Sequence, residues 1–332
     1  MSNNPKVTIG IPTYNSENYL RASLDSIASQ TYKDIEVIIS DNLSTDRTCE
    51  IAREYVEKYG WTLNVNEENI GAAGNFNKLI ELSRGEFVAI YHADDIYEPT
   101  IVEESIARFE SDPEIGLVGT MSKKIDKSSH YVETFSLTRC FAKQGKSVFS
   151  FDDAMLGIMK SCQLEIFYFT PSVMVRKKAY DEVGVFDIGD SPYKSARDYE
   201  MWLRIARRYK TAIINKPLMN YRIHENQGSE KEIRQNMEIP DLYNVLEVYV
   251  NYISDASLKK YVQSKMNQII FNKAKGNNRK RNFAKSLEMM QEADSQGLQP
   301  YFTILKLANL MKTRVPKALF RKLKCTKDRY GE

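Results

Sequence analysis

The sequence has few of the features that define several large classes of protein. Its four cysteines lie far apart and form no C-x-x-C pair: Cys49, Cys140, Cys162 and Cys325. This spacing argues against a disulfide framework or a zinc site, and it predicts a reducing, cytoplasmic compartment. No apolar run approaches the ~18 residues that a membrane-spanning helix needs. The first residues show no apolar signal segment.

A glycine-rich phosphate loop is also missing. No G-x-G-x-x-G pattern follows the first predicted strand, which disfavours a dinucleotide-binding enzyme. What the chain does have is an ordinary globular composition. Of its 332 residues, 42% are hydrophobic and 27% are charged, with a mean hydropathy of −0.47. This is enough for one large domain or two.

Strand-like and helix-like segments alternate through the first third of the chain. Apolar runs predict strands at Val7–Ile11, Ile35–Ile39, Thr62–Val65, Phe87–Tyr91 and Ile115–Thr120. Helical spacing separates them, as at Leu20, Leu24 and Ile27. This alternation predicts an α/β fold of Rossmann-like type, with a mostly parallel central sheet flanked by helices.

The rest of the chain is organised differently. The middle region is less regular, with a strand predicted over Pro171–Arg176 and a helix over Asp198–Tyr209. From about residue 230 onward the apolar pattern is helical. We therefore expect a domain at residues 1–228 and a helical C-terminal appendage at residues 229–332.

Polar residues follow three of the predicted strands. They are Pro12-Thr-Tyr-Asn15, Asp41-Asn42 and Asp94-Asp95. Ligands of parallel sheets bind beyond the carboxyl ends of the strands, so these tips form a candidate site. Adjacent carboxylates such as Asp94 and Asp95 repel each other unless a cation joins them, which points to Mg²⁺ or Mn²⁺ and a diphosphate. The alternative is a pair of turn or capping residues.

Single residues also have two interpretations each. Asp41 is either an ordinary turn residue or a carboxylate that accepts the imide N–H of a uracil or thymine. Asp198 is either a first-turn capping residue or a general base, with Asp187 as a weaker competitor. His224 is either a packing residue or part of a face that neutralises a diphosphate, because Arg222, His224 and Asn226 alternate.

Taken together, these motifs resemble the family 2 glycosyltransferases, the inverting enzymes of GT-A fold. The matching segments occur in the family's order: Val7–Asn15, Gln30–Asp46, Asn69–Asn75, Ser83–Asp95, Arg197–Arg204 and Tyr221–Gln227. The resemblance covers roughly residues 5–228. It implies a nucleotide-sugar donor and a divalent metal, either Mn²⁺ or Mg²⁺.

The resemblance also implies roles for individual residues. Asp198 is the catalytic base, and the metal ligands are Asp94, Asp95 and His224. The nucleotide-sugar contacts are carried over to Pro12, Thr13, Tyr14, Asn15, Glu17, Asp41, Asn42, Asn69, Asn75, Lys78, Asp94, Arg222 and His224.

The chain departs from the family pattern at three places. The family often has aspartate where this chain has His92, so the residue that touches the ribose stays open. Asn42-Leu43 stands where Asp-Gly is frequent, which leaves a nucleoside contact open. Arg197 replaces a frequent glutamate, and it would lower the pKa of Asp198 if the two side chains meet.

The expected function is transfer of a sugar, from a UDP-sugar by preference, to a hydroxyl of a saccharide or lipid-linked saccharide in cell-surface polysaccharide assembly. One alternative is a nucleotidyltransferase, which would want a basic, glycine-rich loop after the first strand. Another is a catalytically inactive nucleotide-sugar-binding protein. The sequence names neither the sugar nor the acceptor, and it leaves the oligomeric state open.

Charge is concentrated at the C-terminus. Residues 312–332 carry eight basic and two acidic side chains, although the whole chain has a net charge of only +3. Val315, Leu319, Phe320 and Leu323 share one side of a predicted helix there. This pattern predicts either peripheral contact with an anionic membrane at its cytoplasmic face or a solvated tail. Nucleic acid is not expected, because no stacking platform is interleaved with the basic residues.

Overall fold

The computed structural model describes residues 4–161, 167–225, 227, 241–292 and 301–315. The chain divides into two compact units, Met1–Lys231 and Glu232–Glu332. The sheet and the predicted site residues belong to the first unit. No helix in the described part of the chain is long and apolar enough to cross a membrane.

Within the described residues, ten strands form one sheet. They are β1 (Val7–Thr13), β2 (Ile35–Asp41), β3 (Thr62–Val65), β4 (Phe87–Ile90), β5 (Ile96–Tyr97), β6 (Ile115–Ile125), β7 (Tyr131–Thr134), β8 (Val148–Phe149), β9 (Met174–Arg176) and β10 (Lys210–Arg222). Their order is β3-β2-β1-β4-β9-β6-β10-β5, with β7 beside β6 and β8 beside β10. The longest pairings, β1–β2 and β6–β10, are parallel. The predicted α/β class with a mostly parallel sheet is confirmed.

Helices flank the sheet and make up the described part of the second unit. They are α1 (Leu20–Ala28), α2 (Thr48–Tyr59), α3 (Gly71–Leu82), α4 (Ile101–Ser111), α5 (Arg139–Ala142), α6 (Phe151–Ser161), α7 (Lys177–Val183), α8 (Arg197–Ala206), α9 (Asp241–Tyr249), α10 (Ala256–Arg279), α11 (Phe283–Glu292) and α12 (Tyr301–Leu310). The predicted helical C-terminal region is confirmed.

The apolar spacing of the sequence corresponds to buried helix faces. In α1, Leu20 and Leu24 are completely buried and Ile27 is nearly so. In α8, Trp202 and Ile205 are likewise buried. Each such side chain stabilises the fold by about 1.5–3 kcal/mol relative to an exposed one. Short helices are barely stable on their own, so packing against the sheet supplies most of their stability.

Strand direction decides which loops meet. Strands β1 to β4 run parallel to one another, so their carboxyl ends lie at one edge of the sheet. Strand β9 is antiparallel to both β4 and β6, and β10 is parallel to β6. The end of β10 and the beginning of β9 therefore lie at that same edge, which we call the carboxyl edge.

Three local predictions differ from the structure. The strand predicted from Pro171 begins only at Met174, because Thr170–Ser172 form a 3₁₀ turn. We expected Ser44 or Thr45 to cap the helix that becomes α2. Instead Asp46 Oδ1 accepts the Thr48 amide at 2.9 Å.

Pro99, expected as the first residue of the next helix, precedes the cap of α4, which is Thr100.

The second unit has its own buried core and polar contacts. Asp255 caps α10 by accepting the amides of Ser257 and Leu258. Asn278 is completely buried, and its amide nitrogen donates to Asn309 Oδ1 at 2.7 Å. Val315, predicted to lie on a membrane-facing stripe, is instead only 4% exposed, and its amide donates to Asn278 at 2.8 Å. The remaining residues of that stripe lie outside the described residues.

Candidate active site at the carboxyl edge of the sheet

The acidic motif follows β4 directly. Asp95 is completely buried, and its Oδ1 accepts the backbone amide of Arg222 at 2.9 Å. Among the described residues, neither Asp95 Oδ2 nor His92 Nε2 has a hydrogen-bond partner, although both atoms are buried. Burial and the neighbouring Asp94 charge raise the pKa of Asp95 well above its usual value. Ionising this carboxyl group therefore requires a nearby positive charge.

These residues fit a divalent cation. His92, Asp94 and Asp95 each offer a ligand atom within 4.8 Å of the other two, in the described part of the chain. A buried oxygen such as Asp95 Oδ2 needs a partner, and a divalent cation would supply one. Burial lowers the pKa of His92, so its imidazole is neutral and has a lone pair for a metal. The cluster is compatible with a metal site.

The third predicted metal ligand, His224, is not in this cluster. Its Nε2 lies 3.0 Å from Asp94 Oδ2, and its ring packs against Tyr19 with centroids 4.7 Å apart. Burial opposes ionisation of Asp94, but the hydrogen bond with His224 holds the Asp94 pKa below its usual value. In the described residues His92 completes the cluster and His224 is a partner of Asp94, so the predicted role of His224 as a metal ligand stays a prediction.

Arg222 is also placed differently from the prediction. Its side chain is 2% exposed, so it does not offer its charge to an open diphosphate site. Nε donates to the Asp94 carbonyl at 2.8 Å, and Nη1 donates to Ser129 Oγ at 2.8 Å. The guanidinium also lies over the Tyr19 ring, 4.8 Å from its centre. Arg222 therefore holds the acidic loop, residues 92–95, in place. Asn226, predicted to share its face, lies outside the described residues.

Asp41 shapes the loop in which it lies. It is completely buried, and its carboxylate accepts hydrogen bonds from Thr13 Oγ1 at 2.8 Å, Ser44 N at 2.7 Å and Ser44 Oγ at 2.6 Å. Burial, together with its hydrogen bond to Asp41, raises the pKa of the Cys49 thiol to about 11. Local donors thus engage both oxygens of Asp41, and the acceptance of a base imide by this carboxylate stays a prediction.

The loops after β1 and β2 hold each other in place. Asn15 has a left-handed backbone with φ of 48°, and its Oδ1 accepts the Thr45 amide at 2.9 Å. Glu17 Oε2 accepts the Arg47 amide at 3.1 Å. Tyr14 is 51% exposed, beside Pro12 at the end of β1. Of the residues predicted here, Tyr14 and Asn15 are exposed, Pro12 and Glu17 are half-buried, and Thr13 is buried.

A group of asparagines connects β2, β3 and α3. Asn66 Nδ2 donates to Asn42 Oδ1 at 3.2 Å and to Asn75 Oδ1 at 3.1 Å. Asn42 Nδ2 donates to Asn69 Oδ1 at 2.7 Å, and Asn75 Nδ2 donates to the Ser40 carbonyl at 2.8 Å. Asn42 and Asn75 are buried within this network, and their predicted contacts with a nucleotide stay predictions.

Two further predicted contacts have different outcomes. Asn69 is exposed, although its Oδ1 is shared with the Gly71 amide at 3.0 Å. Lys78 pairs with Glu81 one helical turn away at 3.2 Å. Asn66 was missed by sequence reasoning. Several asparagines lie close to residue 66 in the sequence. This polar composition is equally typical of an ordinary loop, so it did not mark Asn66 as part of a network.

Asp198 lies in the first turn of α8, where it accepts two hydrogen bonds. Thr170 Oγ1 donates to Asp198 Oδ2 at 2.5 Å, and the Tyr199 amide donates to Oδ1 at 2.7 Å. Trp202 Nε1 donates in turn to Thr170 Oγ1 at 3.3 Å. Because Thr170 comes just before β9, these contacts place Asp198 at the carboxyl edge. Thr170 was missed because nothing in its local sequence marks it.

The protonation of Asp198 is set by its surroundings. Burial raises its pKa, against the opposing effect of the hydrogen bonds from Thr170 and Tyr199. A lowering by Arg197 was expected only if the two side chains meet, and the Arg197 guanidinium instead donates to the Gly189 carbonyl at 2.6 Å. A carboxylate with a raised pKa is a better proton acceptor.

Known proteins are similar to this chain in sequence and in fold. The model of the family described as Glycosyl transferase family 2 matches residues 8–184. An uncharacterised glycosyltransferase of Methanocaldococcus jannaschii is 30% identical over 235 residues, covering 70% of this chain and 75% of the relative. One from Rickettsia prowazekii is 29% identical over 241 residues, covering 72% of this chain and 71% of the relative.

Solved structures show the same fold at low sequence identity. Staphylococcus aureus TarS in complex with UDP-GlcNAc has a TM-score of 0.64 and 16% identity, covering 92% of this chain and 89% of that one. A Pyrobaculum calidifontis mannosyltransferase in complex with GDP-Man and Mn²⁺ has a TM-score of 0.57 and 18% identity, covering 94% and 86%. These likenesses establish the GT-A fold.

Proposed function

This chain belongs to glycosyl transferase family 2 and is a glycosyltransferase, and from that premise we propose which reaction its site performs. The reaction is transfer of a sugar, with inversion, from a nucleotide-sugar to a hydroxyl of a saccharide or lipid-linked saccharide. Its biological setting is the assembly of cell-surface polysaccharide at the cytoplasmic face of the membrane.

One observation carries this proposal. Asp198 and the His92–Asp94–Asp95 cluster lie at the same edge of the sheet. Asp198 is held there by Thr170, which precedes β9, and the cluster follows the end of β4. Inversion requires one base on the acceptor side and charge stabilisation on the leaving-group side, with no covalent enzyme intermediate. A single carboxylate opposite a cation site supplies both.

Asp198 acts on the acceptor. Its carboxylate takes the proton of the attacking hydroxyl, while the Thr170 hydroxyl and the Tyr199 amide hold it in one orientation. His92, Asp94 and Asp95 would hold a divalent cation, which when bound stabilises negative charge on a leaving diphosphate. Arg222 and His224 keep the acidic loop in shape for this task. Tyr14 and Asn15 are exposed toward the edge where the nucleoside is proposed to bind.

A UDP-sugar is the proposed donor, since the similarly folded TarS was solved with UDP-GlcNAc. GDP-sugars are the next to test, because the similarly folded mannosyltransferase was solved with GDP-Man and Mn²⁺. The basic tail that would bring the enzyme to a lipid-linked acceptor lies largely outside the described residues.

The proposal is tested first by binding and then by chemistry. UDP-, dTDP- and GDP-sugars are screened by thermal shift with and without Mn²⁺, because a ligand that binds the native state raises the melting temperature. We expect a UDP-sugar with Mn²⁺ to give the largest rise. No shift with any nucleotide-sugar would refute the donor.

Catalysis is then followed with the donor that binds. Asp198→Asn should keep the thermal shift and lose transfer or donor hydrolysis, and EDTA should abolish activity. The matched control is Asp187→Asn, an exposed carboxylate eleven residues away that should retain activity. Full activity in Asp198→Asn would show that the base is wrongly assigned. Binding without turnover in the unaltered protein would favour an inactive nucleotide-sugar-binding protein.

A further inference from the structure

His92 has an unusual environment for a histidine that only fills space. Its ring is half-buried and stacks against Phe76, with centroids 5.8 Å apart and planes inclined by 27°. Its backbone is held at both ends: the amide donates to the Tyr97 hydroxyl at 2.6 Å, and the carbonyl accepts from Ser23 Oγ at 3.1 Å. The imidazole therefore has a defined position, yet its buried Nε2 finds no hydrogen-bond partner among the described residues.

The neighbouring carboxylates each have one oxygen committed to the protein. Asp94 Oδ2 contacts His224 Nε2 at 3.0 Å, and Asp95 Oδ1 accepts the Arg222 amide at 2.9 Å. The other Asp95 oxygen is buried and has no partner in the described structure. The side-chain atoms left for a ligand are thus one oxygen from each aspartate and the nitrogen of His92.

We propose that His92 is a nitrogen ligand of the cation at this site and that it makes the site favour Mn²⁺ over Mg²⁺. The inference rests on the cation site of the proposed function but not on sugar transfer itself. A purely carboxylate site would suit either ion, because both accept oxygen ligands. Mg²⁺ prefers oxygen and retains its waters, whereas a mixed imidazole and carboxylate set suits transition metals better.

His92 stands where the family resemblance implies a frequent aspartate. The same resemblance implies His224 as the histidine ligand of the metal. In the structure His224 contacts Asp94, which is itself a candidate ligand. The ligand atom of His92, by contrast, lies within 4.8 Å of the ligand atoms of both aspartates. The two histidines therefore have separable roles.

Mn²⁺ itself is the probe, and no nucleotide-sugar is needed. The full-length chain is stripped of metal and titrated with Mn²⁺ and, separately, with Mg²⁺ by calorimetry. Pulsed electron paramagnetic resonance of the Mn²⁺ complex then reports whether an imidazole nitrogen is coordinated. We expect nitrogen coupling in the unaltered protein, and a tighter complex with Mn²⁺ than with Mg²⁺.

Variants identify which imidazole is responsible. His92→Gln should lose the nitrogen coupling and weaken Mn²⁺ binding by about 10–100-fold, the loss typical of substitutions around a metal site. Binding of Mg²⁺ should change little. His92→Asp should also lose the coupling and reduce the preference for Mn²⁺. His224→Gln should keep the coupling. His130→Gln, on an exposed loop, is the control for surface binding.

The outcomes separate this inference from the proposed function. Nitrogen coupling that persists in His92→Gln, or that disappears in His224→Gln, would overturn it. Absence of coupling in the unaltered protein would overturn it as well, even if sugar transfer proved to require a metal. Circular dichroism and thermal melting show whether His92→Gln is folded, and if it is not, His92→Asp gives the same test.

Discussion

The hydrogen bond between Thr170 and Asp198 allows a sharp test of the proposed base. Thr170→Val replaces the hydroxyl by a methyl group of similar size, so packing is almost preserved while the donor is lost. The lost hydrogen bond joins the uncharged Thr170 hydroxyl to the Asp198 carboxylate at a distance of 2.5 Å. Its loss destabilises the ionised form of Asp198 more than the protonated form.

The size of the effect follows from the type of bond. Hydrogen bonds to charged groups contribute about 1.5–3 kcal/mol. A shift of one pKa unit corresponds to about 1.4 kcal/mol of difference between the two protonation states. The Asp198 pKa, already raised by burial, should therefore rise further by about 1–2 units. Because the base acts as a carboxylate, the acidic limb of the activity profile should move to higher pH by the same amount.

The assay is the pH dependence of kcat/KM for transfer or donor hydrolysis, with the donor found by thermal shift. Activity at pH values above the shifted limb should approach that of the unaltered enzyme, since Asp198 is again ionised there. Thr170→Ser is the matched control, because it retains the hydroxyl and should leave the limb in place. An independent readout is the carboxyl carbon resonance of Asp198 by NMR, assigned by its loss in Asp198→Asn.

Two results would refute the reasoning. An acidic limb that does not move in Thr170→Val would mean that Asp198 is not the titrating base. A uniform loss of activity at all pH values, with equal loss in Thr170→Ser, would mean that Thr170 acts through packing alone.

Two more predictions concern residues whose expected ligand contacts became structural ones. Asp41→Asn should lower the free energy of unfolding by about 2–3 kcal/mol in urea, because it weakens bonds to a buried carboxylate. The control Asp34→Asn, at an exposed position, should change the free energy of unfolding by less than about 0.5 kcal/mol. Equal changes in the two variants would contradict the prediction. Arg222→Lys should cost about 2–4 kcal/mol in the same assay, since an ammonium cannot replace a buried, forked guanidinium. Weaker donor binding at unchanged stability would instead favour a diphosphate contact.

The local pattern of the sequence was enough to predict the strands and helices of the site region. Apolar runs such as Val7–Ile11 and helical spacing such as Leu20, Leu24 and Ile27 depend on neighbours within a turn or two. The sequence also located the acidic motif and Asp198, because strand ends in a parallel sheet share one edge. The family resemblance added the order of the motifs.

Ligand assignments were less predictable, because they depend on partners that are distant in sequence. Arg222 donates to the carbonyl of a residue 128 positions earlier, and Thr13 donates to Asp41 across 28 positions. A buried polar group must find a partner, and which partner it finds is decided by packing. Spacing alone therefore could not show that Asp41 and Arg222 were already engaged.

The sequence by itself thus determined the α/β class, the candidate edge and the types of residue gathered there. Only the tertiary structure decided which of them remain available for chemistry. The reversal of β9 brings Thr170 to Asp198, and the fold brings His224 to Asp94 from 130 positions along the chain. The physical reason is that secondary structure follows from short-range periodicity, whereas hydrogen-bond satisfaction in a buried site is settled by contacts across the whole sheet.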